Sequence, residues 1–162
     1  MAVSTTQSIW RSGGGDNTRT AYCGTGLMVA EFYFDATQAS GNVLNAAGGK
    51  AVILPAGAVI LQINANAAAT GGTNPTFDMG FTLYSTGTAS PQAILNESDA
   101  DAGKQVFNWA SATAGASLNT IMSATEMVYI TGRAGASAAT GGNISGEILY
   151  YVTDPFLGQQ NV

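Results

Sequence analysis

From about Tyr22 onward, apolar and polar residues alternate along the chain. In GLMVAEFYFD, Met28, Ala30, Phe32 and Phe34 fall on one side and Val29, Glu31 and Tyr33 on the other. GAVILQINANA sets Val59, Leu61, Ile63 and Ala65 against Ile60, Gln62, Asn64 and Asn66. TFDMGFTLYS sets Phe77, Met79, Phe81 and Leu83 against Asp78, Gly80, Thr82 and Tyr84. NISGEILYYVT sets Ile144, Ile148, Tyr150 and Val152 against Ser145, Glu147, Leu149 and Tyr151. A period of two predicts half-buried strands, because successive Cβ atoms point to opposite faces of a sheet. EMVYITGRAG has the same texture, and AVILP, ending at Pro55, predicts a short strand stopped by proline. Between Ala89 and Ser123 the signal weakens: KQVFNWA and ASLNTIM read as short strands, and NESDADAGK as a loop. No stretch of about 12 residues carries an apolar stripe of period 3.6, so helices are not expected.

The tetrapeptide Ala-Thr-Gly-Gly occurs twice, at 69–72 and 139–142, each time in a connection between alternating segments. Gly71, Gly72, Gly141 and Gly142 supply positive φ without a Cβ clash, and Thr and Asn cap such turns. Short strands joined by Gly-rich turns predict an all-β protein: an antiparallel β-sandwich, jelly-roll-like, of six to nine strands. Residues 1–20 are polar and Gly-rich, with Ile9 and Trp10 as their large apolar side chains. They are expected to form an extended N-terminal arm, followed by a sandwich domain over 21–154 and a C-terminal tail over 155–162.

Composition sharpens the picture. Only 9% of residues are charged, while 46% are hydrophobic, many of them Ala. An ordinary soluble domain is roughly 25% charged. Two readings of so neutral a surface stand: coverage by neighbouring subunits, where few charges need desolvation, or a plain neutral β-surface. The net charge is −5, and the five basic residues, Arg11, Arg19, Lys50, Lys104 and Arg133, are scattered. Phosphate-backbone binding needs clustered Lys and Arg, so no nucleic-acid partner is expected, and a polybasic membrane site fails on the same count. The longest apolar run, Ala51 to Leu61, is interrupted by Pro55 and Gly57 and is too short to span a membrane. The N-terminal residues lack a charged segment followed by an apolar one, so no secretory signal is expected there.

Candidate chemistry is sparse. The chain has no histidine and one cysteine, Cys23. Serine–histidine and cysteine–histidine catalysis, and zinc ligation, are therefore not expected, nor is an intramolecular disulfide. Glu97, Asp99 and Asp101 cluster in NESDADAG, and Asp-x-Asp resembles the opening of a calcium loop. Yet Gly103 stands at the third ligand position and no bidentate Glu follows, which favours a solvated loop. Neither GGG at 13–15 nor CGTGLM at 23–28 follows a strand and opens a helix, so neither reads as a phosphate cradle. No enzyme activity and no cofactor are expected.

LPAGAVILQINANAAATGGTNPTFDMGFT, Leu54 to Thr82, resembles a segment common in small virion proteins of tailed bacteriophages. In those proteins a strand follows Leu-Pro-x-Gly, and a Gly-Gly-Thr-x-Pro-Thr turn leads into an alternating strand. MVYITGRAGASAATGGNISGEILYYV, Met127 to Val152, resembles their closing hairpin. The resemblance implies a jelly-roll or β-sandwich virion component, not an enzyme. It implies turn-shaping roles for Pro55, Gly57, Gly71, Gly72, Thr73 and Pro75. The expected function is a capsid decoration (cement) protein on the outer surface of the particle, assembled in the host cytoplasm. Its expected partners are itself, as a trimer, and the major capsid protein or other virion proteins. Trp10, Arg11, Arg19 and Phe156 are the expected assembly contacts. A fibre, spike or collar component is the second reading, and a carbohydrate-binding module on the same scaffold the third.

Overall fold

The computed structural model describes residues 27–39, 42–43, 45–46 and 50–153. The expected arm and tail lie outside these residues, as do Trp10, Arg11, Arg19, Cys23 and Phe156. The described strands in chain order are β1 (Met28–Asp35), β2 (Asn42–Val43), β3 (Asn45–Ala46), β4 (Lys50–Ala51), β5 (Ile53–Leu54) and β6 (Ala58–Thr70). They continue with β7 (Thr76–Leu83), β8 (Ala89–Asp99), β9 (Gly103–Asn108), β10 (Val128–Ala134) and β11 (Gly141–Val152). The first sheet runs β4-β3-β1-β11-β6-β9 and the second β2-β10-β7-β8, with β5 also pairing to β10. All ladders are antiparallel. The protein is therefore the antiparallel β-sandwich that the alternation predicts.

The inward sets match the sequence pattern where the strands are regular. Phe32 and Phe34 of β1, Phe77 and Met79 of β7, and Ile144 and Ile148 of β11 are buried. Phe34 of the first sheet meets Phe77 of the second at 6.0 Å between ring centroids, and Phe77 meets Phe107 of β9 edge-on at 6.0 Å. These rings tie the two layers together, Phe34 tilted on Phe77, and Phe107 in the edge-to-face geometry that aromatic pairs favour.

Three elements depart from the expected pattern. On β6 the register passes from Gln62↔Leu149 to Ile60↔Tyr150, leaving Leu61 unpaired. One extra residue reverses the phase of the strand, so Ile60 is fully buried and Leu61 only half-buried. Next, residues 96–99 of the expected loop belong to β8. This strand pairs irregularly with β7: Ser98 lies opposite Phe77, Leu95 opposite Met79 and Ser90 opposite Phe81. The surplus residues of β8 fold over the outward side of β7, where a Cβ on Gly80 would stand 2.0 Å from the Ser90 carbonyl oxygen. A strand so bulged has no clean period, which is why its signal is weak. Finally, ASLNTIM is not a strand. Its contacts are isolated bridges, Leu118 with Ile60 and Ile121 with Val59. The preceding turn covers the outer edge of β8, with Gly115 N–H donating to Ile94 O at 2.8 Å and Ser117 N–H to Ala93 O at 2.7 Å. That coverage blunts an edge that could otherwise pair with another chain.

The repeated tetrapeptide has a tertiary reason. Both copies join one sheet to the other, β6 to β7 and β10 to β11, and they lie side by side: Gly141 pairs with Thr70 and Gly142 with Ala69. Gly71, Gly72 and Gly142 have φ of 69°, 86° and 90°. A Cβ on Gly71 would collide with the Thr140 hydroxyl, and one on Gly72 would lie 2.6 Å from the Ala138 carbonyl oxygen. Gly141 does not have positive φ; its side faces the Thr70 hydroxyl.

Candidate interaction surface

The outer face of the first sheet carries the most unusual arrangement of side chains. β1 turns Val29, Glu31 and Tyr33 outward, and all three are exposed. Across the ladder these residues face Leu149, Glu147 and Ser145 of β11. Glu31 and Glu147 therefore lie directly opposite each other, where cross-strand Cβ atoms are about 5 Å apart and like charges repel. A shallow depression of about 330 Å³ lies between these strands, lined by Glu31, Phe32, Tyr33, Ser145, Gly146 and Glu147. β6 adds Gln62, Asn64 and Asn66 to the same face, and β9 adds Val106 and Lys104, opposite Asn64 and Asn66. Val29 is 57% exposed, Val106 59%, and Trp109, just beyond β9, 71%. Among the described residues β9 pairs only with β6, so its second edge carries no ladder.

The second sheet is different, because its outward polar groups are spent internally. Asp78 is fully buried under β8. Its carboxylate accepts from Arg133 Nε at 2.9 Å, from Gln92 Nε2 at 3.1 Å and from the Glu97 N–H at 2.9 Å. The Arg133 guanidinium also reaches it through a terminal nitrogen at 2.9 Å. Glu97, held at φ 53°, directs its own carboxylate back to the Ala136 N–H at 2.9 Å and to the Thr76 hydroxyl. The network ties β7, β8 and β10 together beside the paired turns. Farther along this face, Tyr84 stacks on Tyr129 at 5.3 Å.

The acidic cluster singled out in the sequence lines one depression with Asn74, Pro75 and Thr76, but its members have different partners. Glu97 is committed to backbone and hydroxyl donors, whereas Asp99 and Asp101 face each other, with the Asp101 N–H donating to Asp99 Oδ1 at 3.0 Å. The hydrogen bond with Asp99, followed by partial desolvation and the neighbouring charge, lifts the Asp101 carboxyl above the ordinary aspartate value. Among the described residues no three His, Cys, Asp or Glu side chains converge as a metal site.

Of the residues assigned to turns, Pro55 and Gly57 sit between β5 and β6. Gly57 has φ 79° and lies against Thr153, whose N–H donates to the Gly57 carbonyl at 2.9 Å. Thr73 and Pro75 close the turn before β7, where Thr73 O accepts from the Ser137 hydroxyl and Pro75 O from the Ala100 N–H. Sequence reasoning placed Glu31 and Glu147 on polar sides of their strands, but not opposite each other, since pairing of the first long strand with the last is not written in either. It likewise missed Asp78 with Arg133, whose pairing follows from the β7–β10 register.

No protein-family model matches the chain, and no curated protein matches it. Among solved structures, the capsid of Ralstonia phage GP4 is similar at 13% identity and a TM-score of 0.47, covering 80% of this chain and 86% of that one.

Proposed function

We propose that this chain is a structural subunit of a bacteriophage particle, without enzymatic activity: a capsid decoration (cement) protein, trimeric, on the outer surface of the shell. The observation that carries this reading is the strand order. The long strands lie β1-β11-β6-β9 in one sheet and β10-β7-β8 in the other, with the short β3 and β4 beside β1 and the short β2 and β5 beside β10. We read this order as jelly-roll-like, an architecture used by capsid and lectin domains. The segments Leu54 to Thr82 and Met127 to Val152 add their resemblance to virion proteins of tailed phages. This is a fold-level analogy and its weight comes from agreement with the surface, which offers contact area and few charges. The carbohydrate-binding reading has less support: Tyr84 and Tyr129 spend ring faces on each other that a sugar platform would present.

Titration of the purified protein onto undecorated shells tests the proposal. Cementing predicts saturable binding at hundreds of copies per particle and greater resistance of shells to heat and osmotic shock. Saturation at a handful of copies favours the fibre, spike or collar reading, and equal resistance with and without the protein rejects a cementing role.

A further inference from the structure

We propose that copies of this chain meet head to tail through the outer face of the first sheet, the β9 border of one copy packing on the β1–β11 side of the next. The inference rests on the reading of the chain as an assembly subunit and names the surface used. Two exposed carboxylates, Glu31 and Glu147, oppose each other across β1 and β11. Such a pair disfavours the isolated sheet and is relieved by a cation placed between them. The face itself carries that cation: Lys104 is exposed on β9. Two strand spacings, about 10 Å, separate β9 from β11, and among the described residues no ion pair closes this gap. Lys104 thus complements the glutamates of a neighbour. The apolar groups agree: Val29 and Tyr33 flank the glutamates and Val106 flanks the lysine, all exposed. Trp109, just beyond β9, is a further exposed large apolar side chain at that end of the strand. Between β11 and β9, on β6, lie Gln62, Asn64 and Asn66, which hydrogen-bond without desolvating charge. A contact between two different regions of one face is heterologous, and it closes into a ring when the rotation allows. Three copies arranged in this way line a central axis with their outer faces and cover the edge of β9 that carries no ladder among the described residues.

The test is zero-length carbodiimide coupling of carboxylates to amines in an equal mixture of full-length ¹⁴N and ¹⁵N protein, read by mass spectrometry. Mixed-isotope peptides joining Lys104 to Glu31 or Glu147 are expected. Coupling of these glutamates to the Met1 amine or to Lys50 instead, or coupling within one isotope only, overturns the proposal. Sedimentation of charge variants gives a second readout. Lys104→Glu and the double variant Glu31→Lys/Glu147→Lys are each expected to weaken association about tenfold or more, and the three changes together to restore it. Far-ultraviolet circular dichroism verifies that each variant remains folded. Wild-type oligomers that persist unchanged in both variants place the contact elsewhere. A wild-type chain that stays monomeric at every concentration removes the assembly reading itself.

Discussion

Asp78 is a carboxylate with no access to water, and the guanidinium of Arg133 is what balances it. Removing one partner of a buried pair leaves an uncompensated charge and costs about 3–5 kcal/mol. Arg133 is itself 30% exposed, so Arg133→Met is expected to cost about 3 kcal/mol, the lower end of that range. Urea denaturation measures it, and a loss under about 1 kcal/mol would mean that water replaces the guanidinium. Exposed acids set the response to pH. The Thr37 N–H, with its hydroxyl, holds Asp35 below the ordinary aspartate value. The Ser85 hydroxyl and N–H do the same for Glu126. A depressed folded-state value contributes stability that is fully present above the unfolded value, about 4, and is lost as pH falls through the folded one. Asp101 is raised, so its contribution is full below the unfolded value and is lost as pH rises through the folded one. Melting temperatures between pH 2 and 6 are expected to fall less steeply on the acid side in Asp35→Asn and Glu126→Gln. Asp101→Asn is expected to remove the opposing trend.

At the scale of elements, the paired crossings between sheets depend on close approach as well as on φ. Gly72 and Gly87 both have positive φ, 86° and 68°. A Cβ on Gly72 meets the Ala138 carbonyl oxygen, while one on Gly87 meets nothing within 4 Å. Gly87→Ala is expected to cost about 1 kcal/mol from backbone conformation alone. Gly72→Ala adds the displacement of the neighbouring turn and is expected to cost about 3 kcal/mol in total. Thermal unfolding separates the two, since each kcal/mol moves the midpoint by about 2–4 °C in a chain of this size. Equal shifts would show that the two turns yield to each other freely. The same scale explains the weak reading between Ala89 and Ser123. Strand β8 is bulged, and the turns that follow cover its edge through backbone groups, which leave no mark on side-chain periodicity.

For the whole molecule, the proposed contact sets stability against assembly at the opposed glutamates. Replacing one by a neutral isostere removes repulsion across the ladder, so Glu147→Gln is expected to stabilise the dissociated chain by about 0.2–1 kcal/mol. In the proposed assembly the same change removes half the charge that would face Lys104 of a neighbour and is expected to weaken association. Denaturation in dilute solution and sedimentation at higher concentration read the two effects separately. A variant that gains stability and keeps its full association would detach the glutamate pair from the contact. The first long strand pairs with the last, and their junction is the acidic center of this face.

Alternation along β1, β7 and β11 and glycine at the crossings were enough to read a β-sandwich, because strand phase and turn chemistry are local properties. The phase of β6 at Leu61, the burial of Asp78 and the meeting of Glu31 with Glu147 depended on which strands became neighbours. Pairing between distant strands is settled by the packing of both layers at once, and no single segment contains that information.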